Sequence, residues 1–156
     1  MLNGKLCRNV NDYSRFGFWF STYIYPLGLN YRNFTMANLR GVNLAEAQLG
    51  HSNLYGANLA EAILTQADLS RANLQMAHGQ RCDLRGANLS GVDLRQADLT
   101  DANLAGCTLV GARLEGAILH GGNLRQCNLF RALGLDLTGA HCDGTTILTT
   151  GYNYEL

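Results

Sequence analysis

The 156-residue chain contains a single proline, a single lysine (Lys5) and no excess of charge of either sign. Its twelve basic and twelve acidic residues cancel, which argues against nucleic-acid binding through a basic surface. Long hydrophobic runs are also missing, because the longest apolar stretch, Phe16 to Leu29, has fourteen residues interrupted by polar ones. That is too short to span a bilayer, and no secretory signal is recognisable. We therefore expect a soluble cytoplasmic protein without a transmembrane segment.

The five cysteines form no C-x-x-C pair and are odd in number, so neither a disulfide framework nor a zinc site is expected. Cys107 and Cys127 lie twenty residues apart at equivalent points of the repeat described below. We expect them to stack in the core as reduced thiols that act as small hydrophobic side chains. No metal or other cofactor is implied.

A fivefold repeat of large apolar residues is the main feature that is present. It consists of Phe34 and then leucine at every fifth position from Leu39 to Leu129, with Gly79 as the single exception. A unit this short cannot bury its own apolar face, so neighbouring units must stack into a solenoid. At Gly79 we expect that neighbouring side chains fill the space or that the wall bulges there, and we favour either over a binding notch.

Every pentad but one places a small residue two positions before its large apolar residue, usually Asn or Asp immediately before it, and mostly polar residues or glycine after it; the exception is Arg32. Side chains at positions i−2 and i share a face of an extended chain, whereas a spacing of five would spiral around an α-helix. The pattern predicts an all-β solenoid with a turn in every pentad. The outward Asn, Asp, Ser and Gly residues support such turns.

Units such as Ala37-Asn38-Leu39 and Ala97-Asp98-Leu99 resemble the A-[DN]-L-x-x motif of the pentapeptide-repeat family, over roughly residues 32 to 149. The resemblance implies a right-handed quadrilateral β-helix with four pentads in each coil, so that residues twenty apart stack. The outward positions of the sequence agree with this closure. The column Glu61, Arg81, Asp101 alternates in sign, and Asp93 should lie beneath Arg113.

Three segments are predicted: an aromatic-rich cap or docking segment (1–31), the β-helix (32–131) and register-shifted final repeats with a C-terminal cap (132–156). A lid over the first coil is our preferred interpretation of the first segment, and a docking or membrane-surface role is the alternative. We expect a bulge or loop at Ala132–Leu135, followed by units centred on Leu137, Cys142 and Ile147. Candidate partner-binding residues are Phe16, Phe18, Trp19, Phe20, Tyr23 and Tyr25, and candidate cap or homodimer contacts are Ile147, Leu148, Tyr152 and Tyr154.

The function we expect is that of a non-enzymatic scaffold that presents flat walls or an aromatic end to an unidentified protein partner. The resemblance also suggests a DNA-mimicking modulator of a type II topoisomerase, as in quinolone-resistance factors. Eight acids against nine arginines within residues 32–131 disfavour that alternative. An enzyme is a remote third alternative, because only His141-Cys142-Asp143 looks chemical and strand alternation should send Cys142 inward and its neighbours outward.

Overall fold

The computed structural model describes residues 28–148. Within this range there is no helix and no multi-residue strand; the chain instead forms twenty single-residue parallel β-bridges separated by turns. The first eighteen bridges each join residues that are twenty positions apart. Four pentads therefore complete one coil, as the sequence predicted, and the coils stack in register.

The bridges define four walls, which we name A to D in chain order. Wall A contains Gly28, Gln48, Asp68, Asn88, Thr108, Asn128 and Ile147; wall B contains Asn33, Asn53, Asn73, Asp93, Arg113 and Leu133. Wall C contains Asn38, Asn58, His78, Asp98 and Ile118; wall D contains Asn43, Ile63, Asp83, Asn103, Asn123 and His141. In the regular repeats each bridge residue points outward and comes just before the position of the inward leucine, which is Phe34 in one pentad and Gly79 in another.

The interior is the predicted leucine ladder. The repeat leucines and the small residues two positions before them are buried, and side chains such as Leu54, Leu89 and Leu104 have no exposed surface. Each fully buried leucine contributes roughly 1.5 to 3 kcal/mol, so the ladder is the main source of stability.

Every regular pentad ends in a turn whose hydrogen bonds confirm the predicted role of the Asn and Asp residues. The Leu59 carbonyl accepts from the Ala62 N–H at 3.0 Å, and Asn58 Oδ1 accepts from the Ala60 N–H at 3.1 Å. The second residue after the leucine has a positive φ in every pentad from Tyr31 to Arg131. This is the conformation that a type II turn needs at its third residue. Each coil therefore turns four corners with the same local geometry.

Gly79 interrupts the ladder without interrupting the wall. His78 pairs with both Asn58 and Asp98 in the normal register, so the wall does not bulge. A Cβ at Gly79 would lie 2.8 Å from Leu99 Cδ2 and 3.4 Å from Cys82 Sγ. Neighbouring side chains thus occupy the space of the missing leucine, which is the first of the two structural outcomes expected.

The C-terminal irregularity differs from the prediction. Leu133 still pairs with Arg113 in the normal register, and Ala132 is buried, so the regular coil continues to Leu133 and the irregular segment begins within the predicted bulge at Ala132–Leu135. The bridge offset then falls to eighteen at His141 and nineteen at Ile147. Gly134 begins the change: its φ is +67°, and a Cβ there would lie 2.7 Å from the backbone of Glu115. Only glycine fits this approach.

The prediction for the final repeat, centred on Ile147, was also wrong in register by one residue. Thr146, not Thr145, takes the buried small position, while Ile147 lies at the outward bridge position opposite Asn128. Leu148 is the inward residue and packs against the core. At the other end, pairing already begins at Gly28, four residues before the predicted start of the β-helix at residue 32. The cap residues at 16–25, Tyr152 and Tyr154 lie outside the described residues.

Candidate partner-binding wall

Wall B has an uncharged lower half. In its first three coils none of the nine outward side-chain positions carries a charge. We call these positions the uncharged patch: Asn33, Thr35, Met36, Asn53, Tyr55, Gly56, Asn73, Gln75 and Met76. Protein interfaces are depleted of charged residues at their centre and enriched in Tyr and Met. The composition of the patch is therefore typical of a protein-binding surface.

The edge of the patch next to wall C is apolar. Met36 is 70% exposed and Met76 is 45% exposed. They lie in one column with Gly56 between them, and Met36 Sδ lies against the bare backbone of Gly56. The Tyr55 hydroxyl donates to Met76 Sδ at 3.0 Å, which fixes the tyrosine ring along this edge. The side chains thus form a continuous apolar strip across three coils.

The edge next to wall A is aromatic and cationic. The rings of Tyr31 and His51 stack with centroids 4.9 Å apart, and Tyr31 is 76% exposed. Arg32 and Arg71 flank this stack, and neither has a carboxylate within salt-bridge distance among residues 28–148. Two guanidinium groups are therefore available to carboxylates from outside the described part of the chain.

The upper half of wall B is charged and internally paired. Asp93 Oδ2 accepts from Arg95 Nη2 at 2.7 Å and from Gln75 Nε2 at 2.6 Å, and Arg113 Nη1 lies 3.8 Å away. The hydrogen bond from Arg95, followed by that from Gln75, lowers the pKa of Asp93 to about 2 despite partial burial. These groups satisfy one another, so they have less to offer a partner than the unpaired arginines below.

Ion pairs also join the two signs on the other walls. In the predicted column Arg81 pairs with Glu61, whereas Asp101 forms no ion pair within residues 28–148. Glu61 Oε1 accepts from Arg40 at 2.8 Å and from Arg81 at 2.7 Å. Asp83 pairs with Arg85 at 2.6 Å. Arginines thus neutralise these carboxylates locally, and the described walls carry none of the dense negative charge that DNA mimicry requires.

The residues of the remote enzyme alternative do not converge. His141 is exposed on wall D, whereas Cys142 packs against the core, where burial raises the pKa of its thiol. Asp143 accepts from the N–H and hydroxyl of Thr145 at 3.0 and 2.6 Å. No group of three or more His, Cys, Asp or Glu residues within 28–148 could hold a metal ion. A surface groove of about 230 Å³ is lined by Gln75, Arg95, Gln96 and Glu115, which include no serine, cysteine, histidine or lysine.

The stacked thiols lie where the sequence predicted. Cys107 and Cys127 are buried and free, with their Sγ atoms 3.0 Å apart. The contact with Cys127 and burial together raise the pKa of Cys107 well above its usual value. Cys127 Sγ also donates to the Leu104 carbonyl at 2.7 Å. Both thiols therefore belong to the core and are not poised for reaction.

The uncharged patch was not among the predicted site residues. Of those, only Ile147 and Leu148 fall within the described chain; Ile147 is half-buried on wall A and Leu148 packs against the core. A signal for the patch was nevertheless present. When the sequence is folded at twenty residues per coil, Met36 and Met76 fall in one column and the outward positions of three successive coils contain no charge.

Comparison with known proteins identifies the class. The pentapeptide-repeat family model matches eight copies spanning residues 37–133, more than half of the chain. Membership implies a right-handed quadrilateral β-helix, as the resemblance to the family did. The chain belongs to the pentapeptide-repeat family.

Two solved structures, Rfr23 and HetL, agree with this assignment. Rfr23 of the cyanobacterium Cyanothece 51142 is 27% identical with a TM-score of 0.61, and the match covers 78% of this chain and 88% of Rfr23. HetL of Nostoc sp. strain PCC 7120, involved in heterocyst differentiation regulation, is 32% identical with a TM-score of 0.57, over 84% of this chain and 68% of HetL. The fluoroquinolone resistance protein QnrB1 is 14% identical with a TM-score of 0.40, over 83% and 90% of the two chains. No curated protein sequence matches significantly.

Membrane insertion through a helix finds no support in residues 28–148, since this part of the chain contains no helix of the length and hydrophobicity that a bilayer crossing requires.

Proposed function

We propose that the protein is a non-enzymatic β-helical scaffold that binds a protein partner through the uncharged patch of wall B. The observation that carries this proposal is the exposure of Tyr31, Met36 and Met76 around a wall area without charged outward side chains. Large apolar side chains exposed together, with a polar rim, mark protein-binding sites.

The charges at the edges of the uncharged patch indicate what kind of partner surface would bind it. Arg32 and Arg71 border the patch without carboxylate partners among the described residues, whereas Met36 and Met76 form the opposite edge. A matching surface presents carboxylates to the arginines and apolar side chains to the methionines. The patch spans three coils, on the order of 10 to 15 Å at the usual strand spacing. It is thus suited to an extended segment of a partner.

Capture from an extract of the native cell tests the proposal. Met36→Glu combined with Met76→Glu should abolish capture of a partner that the unmodified protein retains, because the substitution places charge at the apolar edge. Arg71→Glu should weaken capture by charge reversal. The matched control is Ile63→Glu combined with Ile118→Glu, which adds the same two charges at half-exposed apolar positions on walls D and C. Equal capture by all four proteins, or equal loss in the control, contradicts the proposal.

The sequence-based prediction of a partner-binding aromatic end remains a separate proposal. Replacing Trp19 and Phe20 by alanine in the full chain should reduce capture if that segment contacts the partner, and should leave capture unchanged if the patch alone does so. Homodimerisation through an end cap, involving Ile147, Leu148, Tyr152 or Tyr154, is tested by light scattering across a concentration series. A strict monomer at high concentration would reject that proposal.

A cytoplasmic location is also proposed. The described chain holds four free thiols, three of them buried, and such cysteines persist most readily in a reducing compartment. Localisation of the tagged full-length protein in its native cell tests this point.

A further inference from the structure

Methionine is rare in this chain and is concentrated at one place. The sequence has three methionines, and Met1 lies outside the described residues. The other two, Met36 and Met76, lie in the same corner column of wall B, two coils apart, and both have exposed side chains. Their thioethers therefore make up much of the apolar edge of the uncharged patch.

The two sulfur atoms have different environments. Met36 Sδ rests against Gly56, has no hydrogen-bond donor among the described residues and belongs to the more exposed side chain. Met76 Sδ accepts the Tyr55 hydroxyl proton at 3.0 Å, which engages a lone pair. Oxidation of a thioether uses a sulfur lone pair as the nucleophile, so Met36 has the more reactive sulfur.

Three of the four cysteines within residues 28–148, which would usually compete for an oxidant, are protected. Cys82, Cys107 and Cys127 are at most 1% exposed. Desolvation raises the pKa of Cys82 to about 12, and the pKa of Cys107 is raised by its contact with Cys127 and by burial. The thiolate is the reactive form of cysteine, and little of it exists at neutral pH in such surroundings. In the core repeats we therefore expect an oxidant to react with methionine before it reacts with cysteine.

We propose that Met36 and Met76 are sites of oxidation by peroxide, with Met36 reacting first, and that their oxidation switches off partner binding at the uncharged patch. In each step the thioether attacks the peroxide, the O–O bond breaks, sulfur gains one oxygen and is oxidised to the sulfoxide, and hydrogen peroxide is reduced to water. The product is polar where the thioether was apolar. Only the second half of this inference, the loss of binding, rests on the proposed function.

The half that concerns reactivity is tested without a partner. The full chain is titrated with hydrogen peroxide and each methionine and cysteine is followed by peptide mass mapping. We expect Met36 to gain oxygen about twofold faster than Met76 or more, because susceptibility follows exposure and the Tyr55 hydrogen bond adds to the difference. Cys82, Cys107 and Cys127 should stay unmodified. Oxidation of these thiols before the methionines, or equal rates at Met36 and Met76 together with an unaffected Tyr55→Phe variant, overturns the proposal.

Tyr55→Phe isolates the hydrogen bond, since it removes the hydroxyl and keeps the ring. Met76 should then oxidise faster while the rate at Met36 stays the same. Tyr31→Phe is the matched control and should change neither rate. Treatment with both methionine sulfoxide reductases should restore the unmodified masses, which separates sulfoxide formation from irreversible damage.

The half that concerns binding compares capture before and after peroxide. The unmodified protein should lose its partner on oxidation, whereas Met36→Leu combined with Met76→Leu should bind before and after treatment, because leucine keeps the apolar volume. Undiminished binding by the oxidised unmodified protein refutes the switch and leaves the patch intact as a binding surface. Full binding by the Met36→Glu, Met76→Glu protein refutes the patch itself, so the two failures are distinguishable.

Discussion

The lower and upper halves of wall B have the same interior and different exteriors. Leu74 in the lower half and Leu94 in the upper half occupy the same buried position in two adjacent coils of the leucine ladder. Outside them, the lower half presents Met36, Tyr55 and Met76, whereas the upper half presents Asp93 bound to Arg95. Stacking dictates the inward residues because each coil must fill the same space. The outward residues are not constrained in this way, so their differences indicate how each half of the wall is used.

The largest expected effect is on the shared interior. Leu74→Ala and Leu94→Ala should each lower the free energy of unfolding by about 2 to 5 kcal/mol, because both remove buried methyl groups from a packed ladder. Ser90→Ala, at an outward position, should cost less than about 0.5 kcal/mol. Denaturant melts measure all three. A large loss in one half alone would show that the two halves do not share one core.

The next effect concerns Gly79, which lies in the third coil where the two halves meet. Gly79→Leu restores the regular repeat but should destabilise the protein by about 1 to 3 kcal/mol, because the space is occupied and the core would be overpacked. Even a Cβ would meet Leu99 Cδ2 at 2.8 Å. Adding Leu99→Ala should recover part of the loss. A stabilised single variant in thermal melts would show that the space is empty.

The two halves of wall B also differ at the small inward position, where the lower half contains Ser52. Its hydroxyl is buried and has no hydrogen-bond partner among the described residues, whereas Val92 and Ala112 occupy the equivalent positions above. Ser52→Ala should therefore stabilise the protein by about 1 kcal/mol. The reverse change in the adjacent coil, Ala72→Ser, should destabilise it. If both changes proved neutral in urea melts, the hydroxyl would have to be satisfied in solution.

A smaller expected effect concerns the pH dependence of stability, in which the two halves should differ. The folded pKa of Asp93, about 2, is below the unfolded value of about 3.9, so its stabilising contribution is present above pH 4 and is lost as the pH falls toward 2. The carboxylate is partly buried, but the guanidinium groups of Arg95 and Arg113 beside it are exposed to solvent, which screens the interaction, so the contribution should be less than about 1 kcal/mol. Asp93→Asn should reduce this part of the acid dependence, whereas Asn53→Asp should not reproduce it. Melts between pH 2 and 5 provide the comparison.

The last prediction is that the protein has no effect on DNA supercoiling by gyrase. DNA mimicry requires negative charge approaching one per 1.7 Å of duplex axis. Residues 28–148 instead contain nine arginines and ten acids, several of them paired with each other. We expect no inhibition of gyrase supercoiling at micromolar protein. Potent, salt-sensitive inhibition would restore topoisomerase modulation as the leading function and make the charged upper half the more interesting surface.

Much of the fold could be predicted because the repeat is local and strict. The leucine and alanine positions, the turn-supporting Asn and Asp residues, and the pairing of Arg81 with Glu61 follow from a period of five and a coil of twenty. The prediction was less accurate where the period changes, because the irregular segment begins at Gly134, two residues into the predicted bulge, and the last unit is shifted by one residue at Ile147. There the register depends on the close approach of Gly134 to the backbone of Glu115. The local sequence pattern does not reveal such a contact between coils.

The sequence by itself determined the class of fold and the inward and outward faces, because strand alternation and stacking follow from residue order alone. The tertiary structure decided which outward residues become neighbours. It brought Met36, Tyr55 and Met76 to one edge and Arg32 and Arg71 to the other, although forty positions separate the two methionines. A surface is formed by residues from different coils, so its shape and charge exist only once the coils are stacked.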